Sequence, residues 1–141
     1  MSLYLETSVL VAALTREPES ARVQAWLAAQ PADELAISAW VETEFSSALS
    51  LKLRTGKLET VERAMAMSRL SALGAASLTW VGIGPEHFRA AARYADRHEL
   101  GLRAPDALHL AVAAGHGALL CTLDRRLTAA GLALGVETRL V

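Results

Sequence analysis

Short apolar runs alternate with stretches of helical period along the whole chain, and this alternation leaves few folds open. Met1–Leu5, Glu34–Ser38, Ser77–Val81 and Leu119–Leu123 read as strands, with Val136–Leu140 as a further edge strand. Helical segments separate them at every step. Strands joined through helices need crossover connections, so the expected class is α/β, a three-layer α/β/α domain with a mostly parallel central sheet.

The helices carry their own start and stop signals. Thr7 or Ser8 is placed to cap a first helix bearing Val9, Leu10, Val11 and Leu14, before the Glu17-Pro18 breaker. A second helix is expected from Pro18 to Ala29. Ser38 is the candidate N-cap of a helix from Ala39 to Arg54 that ends at Gly56. The next helix, from Leu58 to about Leu73, puts Leu58, Val61, Met65 and Ala72 on one face and pairs with its predecessor as an αα-hairpin. Pro85 and Pro105 suit the first turns of helices running to about Glu99 and to near Gly115. Asp124 opens the last helix and Gly131 closes it. With 141 residues and no repeat or linker, residues 1–141 are expected to form one domain.

Composition excludes several classes. An apolar content of 52% with 21% charged residues argues against disorder, and a net charge of −1 gives no global attraction to polyanions. Any nucleic acid must therefore be held by a local patch. Cys121 is the only cysteine, which excludes an internal disulfide and a cysteine-based zinc site; it is expected to pack as a buried hydrophobe. The apolar runs are too short to span a membrane and no basic leader precedes the first strand, so the cytoplasm is the expected compartment.

Four acidic residues sit where apolar segments stop or turn. Glu6 follows the first strand, Asp124 follows the fourth, Asp106 lies in the first turn of a helix apolar nearly all round, and Glu44 flanks the Trp40, Val41, Phe45, Ala48 and Leu49 stripe. Each has an ordinary structural reading: Asp124 as an N-cap, Asp106 as a favourable charge at a helix start, Glu6 and Glu44 as solvated flanks. Periodicity does not separate Glu44 from Glu42. Carboxylates beside core segments are costly unless compensated, however, and in an open parallel sheet the crevice outside the strand carboxyl ends is where ligands bind. With no thiolates and no histidine cluster, an oxygen-rich set points to Mg²⁺ or Mn²⁺ and away from zinc.

His109, one turn after Asp106, reads as a hydrogen-bonded core residue. Arg89, Arg93 and Arg97 recur every four residues as a solvated stripe or a phosphate-contacting ridge, while Arg125 and Arg126, beside Asp124, are the better candidates for holding a polyanion.

Assembled in order, four segments make the chain resemble the PIN-domain ribonucleases, in particular the VapC-like toxins of toxin–antitoxin operons. They are Tyr4-Leu5-Glu6-Thr7-Ser8-Val9-Leu10-Val11; Ile37-Ser38 through Thr43-Glu44-Phe45 and Ala48-Leu49; Ala104-Pro105-Asp106-Ala107-Leu108-His109-Leu110-Ala111; and Leu120-Cys121-Thr122-Leu123-Asp124-Arg125-Arg126-Leu127. The resemblance implies an acidic site that binds Mg²⁺ or Mn²⁺ and hydrolyses RNA phosphodiester bonds, leaving 5′-phosphate and 3′-hydroxyl ends. It selects Glu44 over Glu42, matches Glu6, Glu44, Asp106 and Asp124 to the four acidic positions, and matches Thr7, Ser8 and Thr122 to hydroxyl positions near the site. It also implies a cognate antitoxin and a homodimer.

The pattern carries aspartate at the first acidic position, where Glu6 reaches about 1.5 Å further. That difference keeps a second reading, a catalytically impaired PIN domain that binds RNA or a partner, with Glu6→Asp expected to preserve or raise activity. A Mg²⁺-dependent phosphatase or receiver-like domain is the remaining alternative. The hairpin from Ala39 to Leu73 bears apolar residues beyond one buried face, among them Leu51, Leu53, Met67, Leu70 and Leu73, which suggests cover by a second copy or a partner.

Overall fold

The computed structural model describes residues 1–141. Strands β1 (Leu3–Leu5), β2 (Leu35–Ser38), β3 (Thr79–Val81), β4 (Leu119–Thr122) and β5 (Thr138–Leu140) form one sheet in the order β3-β2-β1-β4-β5. Every neighbouring pair is parallel, the last edge included. Around the sheet stand α1 (Thr7–Leu14), α2 (Ser20–Ala28), α3 (Ala39–Arg54), α4 (Thr60–Ala76), α5 (Pro85–Ala95), α6 (Ala104–Gly115) and α7 (Arg125–Leu134). This is the three-layer α/β/α arrangement that the alternating pattern requires.

The three inner strands are buried at every position, as a parallel sheet covered on both faces demands, whereas β3 and β5 at the edges are largely exposed. Helices α1 and α6 are the innermost. Val9–Ala13 and Ala107–Ala113 are buried without interruption, which explains why these two helices lack a polar face.

Several local expectations are corrected. The α1 N-cap is Glu6, not Thr7 or Ser8, because the Glu6 carboxylate accepts the Ser8 N–H at 3.1 Å. Ser38 stands at the N-cap of α3 but its side chain makes no capping bond there. Helix α5 stops at Ala95 and not near Glu99; a short 3-10 turn at His98–Leu100 follows, ending on Gly101 in the left-handed region. Helix α7 runs through Gly131 to Leu134 and ends at Gly135, whose φ of +72° suits a residue without Cβ. Gly131 serves another purpose. A Cβ there would lie 2.2 Å from Thr138 Cγ2, so glycine lets β5 pack directly on α7.

The buried face of α4 is also displaced from the expected one. Leu58, Ala66 and Leu70 point inward, while Val61 and Met65 are 70% and 47% exposed. Of the apolar residues thought surplus to the hairpin, Leu70 is buried and Leu53, Met67 and Leu73 pack on the core; only Leu51 is exposed. Cys121 is buried in β4. No helix is long and apolar enough to cross a membrane.

Candidate metal centre

The chain passes from β1 to β2 on one side of the sheet and later enters β4 on the other side of β1. The carboxyl ends of β1 and β4 therefore border the crevice where the strand order reverses, the usual ligand position in such sheets. Glu6 leaves β1 at that point and Asp124 follows β4 there.

Glu6 is buried and firmly held. Its Oε2 accepts the Ser8 N–H, the Ser8 hydroxyl and, at 2.9 Å, the Thr122 hydroxyl. Ser8 Oγ in turn accepts the Leu123 N–H at 3.0 Å, and Thr122 Oγ1 accepts the Asp124 N–H at 3.0 Å. These bonds tie the start of α1 to the end of β4 and leave Glu6 Oε1 free of them. Oε1 lies 3.9 Å from His109 Nε2.

Glu44 reaches the same space from α3. Its Oε1 accepts the Thr7 hydroxyl at 2.8 Å and contacts His109 Nε2. Burial alone would raise its pKa, but the His109 hydrogen bond and charge, with the Thr7 bond, outweigh it and hold Glu44 below the ordinary value. Glu42 is exposed on the other shoulder of α3.

Asp106, half-buried in the first turn of α6, behaves oppositely. Burial, together with the charges of Glu6, Asp124 and Glu44, pushes its pKa up, and His109 offsets this only partly. Asp124 is the N-cap of α7, its Oδ1 accepting the Arg126 N–H at 2.7 Å and the Leu127 N–H at 3.3 Å. The capping reading and the proximity of Asp124 to Asp106 thus hold together.

Sequence reasoning did not place His109 in this site, nor Tyr4 and Ser38. His109 is fully buried, as a core residue should be, yet its Nε2 faces the carboxylates. Its Nδ1 lies 3.0 Å from the Tyr4 hydroxyl, which lies 2.7 Å from Ser38 Oγ. Burial pushes the Tyr4 phenol well up, so it is a neutral hydroxyl. Two signals were available: a tyrosine in a fully buried strand needs a partner for its hydroxyl, and so does the one polar residue of the otherwise apolar 107–113 run.

One ligand atom each from Glu6, Glu44 and His109 lie within 4.8 Å of one another, and neither Asp106 nor Asp124 joins that group. Two carboxylate oxygens and an imidazole nitrogen fit a divalent cation, and the raised Asp106 marks an excess of negative charge that a cation relieves. Around the group runs a groove of about 860 Å³, lined by Glu6, Thr7, Ser8 and Glu44, with Arg22, Arg54, Arg103 and Arg125 also on its walls. An adjoining hollow of about 770 Å³ holds Asp106, Asp124 and Arg126 and shares Glu44, Arg103 and Arg125 with the first. Arg89, Arg93 and Arg97 line neither; Arg97 lies beyond the end of α5 and pairs with Glu99. Arg22, Arg54 and Arg103 show no sequence pattern that would have singled them out.

Fold and site together define an α/β/α domain with an acidic pocket at the switch point of a parallel sheet. The PIN domain family pattern matches residues 3–132, and the chain belongs to that family. Solved structures similar to it include Mycobacterium tuberculosis VapC20, a Sarcin-Ricin loop cleaving toxin. That likeness is 22% in sequence, covers 92% of this chain and 95% of that one, and has a TM-score of 0.71. PAE2754 from Pyrobaculum aerophilum is 26% identical over 92% of this chain and 86% of its own, with a TM-score of 0.68. A toxin-antitoxin complex from Klebsiella pneumoniae contains a chain 22% identical, covering 92% and 91%, with a TM-score of 0.61. A comparison with curated protein sequences finds no match.

Proposed function

We propose that the 141 residues form one PIN unit acting in the cytoplasm as a metal-dependent ribonuclease, the toxin of a toxin–antitoxin pair. The observation that carries this reading is the gathering of Glu6, Glu44 and His109, with Asp106 and Asp124 alongside, in one crevice of a PIN domain. Its place among structures that include a Sarcin-Ricin loop cleaving toxin and a toxin-antitoxin complex supports the biological setting.

Glu6, Glu44, Asp106 and Asp124 would hold Mg²⁺ or Mn²⁺. The ion, when bound, supplies Lewis-acid activation of water and neutralises charge on the attacked phosphate. Thr7, Ser8 and Thr122 fix the carboxylates in place through the bonds described above. Arg103, Arg125 and Arg126 stand beside the acidic group and give an incoming phosphodiester the local positive charge that the net charge of −1 does not. Water attacks phosphorus, the O3′ bond breaks, and a proton passes to the departing oxygen, leaving 5′-phosphate and 3′-hydroxyl ends.

The partners proposed are an RNA substrate, an antitoxin protein and a second copy of the chain. Exposed Val61, Met65, Trp80 and Phe88 supply apolar surface for association. The test is cleavage of structured RNAs with Mg²⁺ or Mn²⁺. Cleavage by the parent and its loss in Asp106→Asn and Asp124→Asn are expected, with light scattering reporting a dimer.

Glu6 favours one second reading, a PIN domain that binds RNA without cutting it. RNA binding with no cleavage in any metal establishes that alternative. A phosphoacceptor role is disfavoured, because phosphatases and receiver domains of that kind use an aspartate at the end of the first strand, where this chain has Glu6.

A further inference from the structure

We propose that His109 Nε2 is itself a cation ligand, beside one oxygen each of Glu6 and Glu44, so that the site takes a nitrogen-accepting divalent ion such as Mn²⁺ in preference to Mg²⁺. The inference rests on the metal-dependent reading above and specifies its donor set.

Three observations converge. First, His109 is 0% exposed, yet Nε2 is turned toward two carboxylates that line the groove, in contact with Glu44 Oε1 and 3.9 Å from Glu6 Oε1. A buried side chain present for its volume alone has no need of a nitrogen at that place. Secondly, with Oε2 held by Ser8 and Thr122, Glu6 Oε1 is left facing His109 Nε2, and Glu6, Glu44 and His109 each bring one ligand atom within 4.8 Å of the others, a group that Asp106 and Asp124 do not enter.

Thirdly, His109 has the outer support of a metal-binding imidazole. Ligating histidines engage their second nitrogen in a fixed hydrogen bond that sets tautomer and ring orientation. Here Nδ1 meets the buried Tyr4 hydroxyl at 3.0 Å, and Tyr4 is backed by Ser38 at 2.7 Å. Both hydroxyls can accept as well as donate. In the metal-free protein Nε2–H donates to Glu44 Oε1; a cation would take the place of that hydrogen, with Nδ1–H donating to Tyr4 and Tyr4 donating to Ser38. This also explains why Ser38 makes no bond at the start of α3: its hydroxyl serves Tyr4. Mg²⁺ is a hard ion that prefers oxygen, whereas first-row transition ions accept imidazole readily.

The experiment is pulsed electron paramagnetic resonance of Mn²⁺ added below the protein concentration, on the full chain with ¹⁵N-labelled histidine. Calorimetric titration with Mn²⁺ and Mg²⁺ accompanies it. A directly bonded ¹⁵N coupling is expected in the parent and is absent in His109→Gln, which separates His109 from His87, His98 and His116. Tyr4→Phe is expected to keep the coupling but weaken Mn²⁺ binding about tenfold. In His109→Gln the Mn²⁺ to Mg²⁺ affinity ratio falls. Because the parent spectrum needs no substitution, a variant that fails to fold does not spare the proposal. Mn²⁺ bound with no nitrogen coupling overturns it and leaves the carboxylate site standing; no Mn²⁺ binding at all overturns both.

Discussion

Thr122 donates its hydroxyl to Glu6 Oε2 at 2.9 Å, joining the carboxyl ends of the two central strands across 116 positions of sequence. Thr122 Oγ1 also accepts the Asp124 N–H, so one buried threonine fixes the first acidic residue and the turn that presents the last.

Thr122→Val keeps the shape and removes both bonds. Leaving the Glu6 and Asp124 groups under-satisfied is expected to cost about 1–2 kcal/mol in urea unfolding. The bonds bear on Glu6→Asp as well: withdrawing the carboxylate by about 1.5 Å is expected to break either the Ser8 and Thr122 contacts or the approach to His109. The variant's affinity for Mn²⁺ or Mg²⁺, read by calorimetry, is expected to fall. Unchanged or tighter binding would show that the hydroxyls do not set the reach of Glu6.

Asp106→Asn is expected to stabilise the metal-free protein while abolishing metal-dependent activity. Burial and its acidic neighbours raise the Asp106 pKa above the ordinary 3.8, so the fold holds its proton more tightly than the unfolded chain does. Stability is therefore lost as pH rises through the folded value, and removing the ionisable group restores it. In chelator-treated protein at pH 7, a Tm rise of about 2–4 °C is expected. A lower Tm for Asp106→Asn contradicts the crowding of negative charge.

Glu44 should show the opposite dependence. Its pKa lies below the ordinary 4.5, so its contribution is fully present above that pH and is lost as pH falls through the folded value. Glu44→Gln is expected to destabilise by about 1–2 kcal/mol at pH 7 through the weakened His109 and Thr7 bonds. The difference from the parent narrows in acid. A gap constant from pH 7 down to the acid transition would refute this.

The groove arginines separate from those of α5. Arg103→Ala and Arg125→Ala should each weaken RNA binding in all sequences alike and reduce the salt dependence by about one contact. Arg89→Ala and Arg93→Ala, outside the groove, should leave both unchanged. Filter binding at several salt concentrations distinguishes the two sets.

The alternation of strands with helices and the parallel sheet it implies were legible in the sequence, because strand length, helical period and breakers act over neighbouring residues; the order of the strands within the sheet was not. Helix limits were less so. The expected end at Gly131 failed because that glycine answers to Thr138 on another element, and α5 stops at Ala95 because the chain passes at Arg97 into a separate 3-10 turn over His98–Leu100. The α4 face was misplaced by one position because Val61 and Met65 satisfy the helical period as well as Ala66 does, and only packing on the core decides between them. For the same reason, sequence could place Glu6, Glu44, Asp106 and Asp124 at the ends of apolar segments but not choose their partners. That Thr122 holds Glu6, that Thr7 holds Glu44, and that Tyr4 and Ser38 stand behind His109 depends on contacts between residues 34 to 116 positions apart. Hydrogen bonding is short-ranged and directional, so such partners exist only once the strands have been brought side by side.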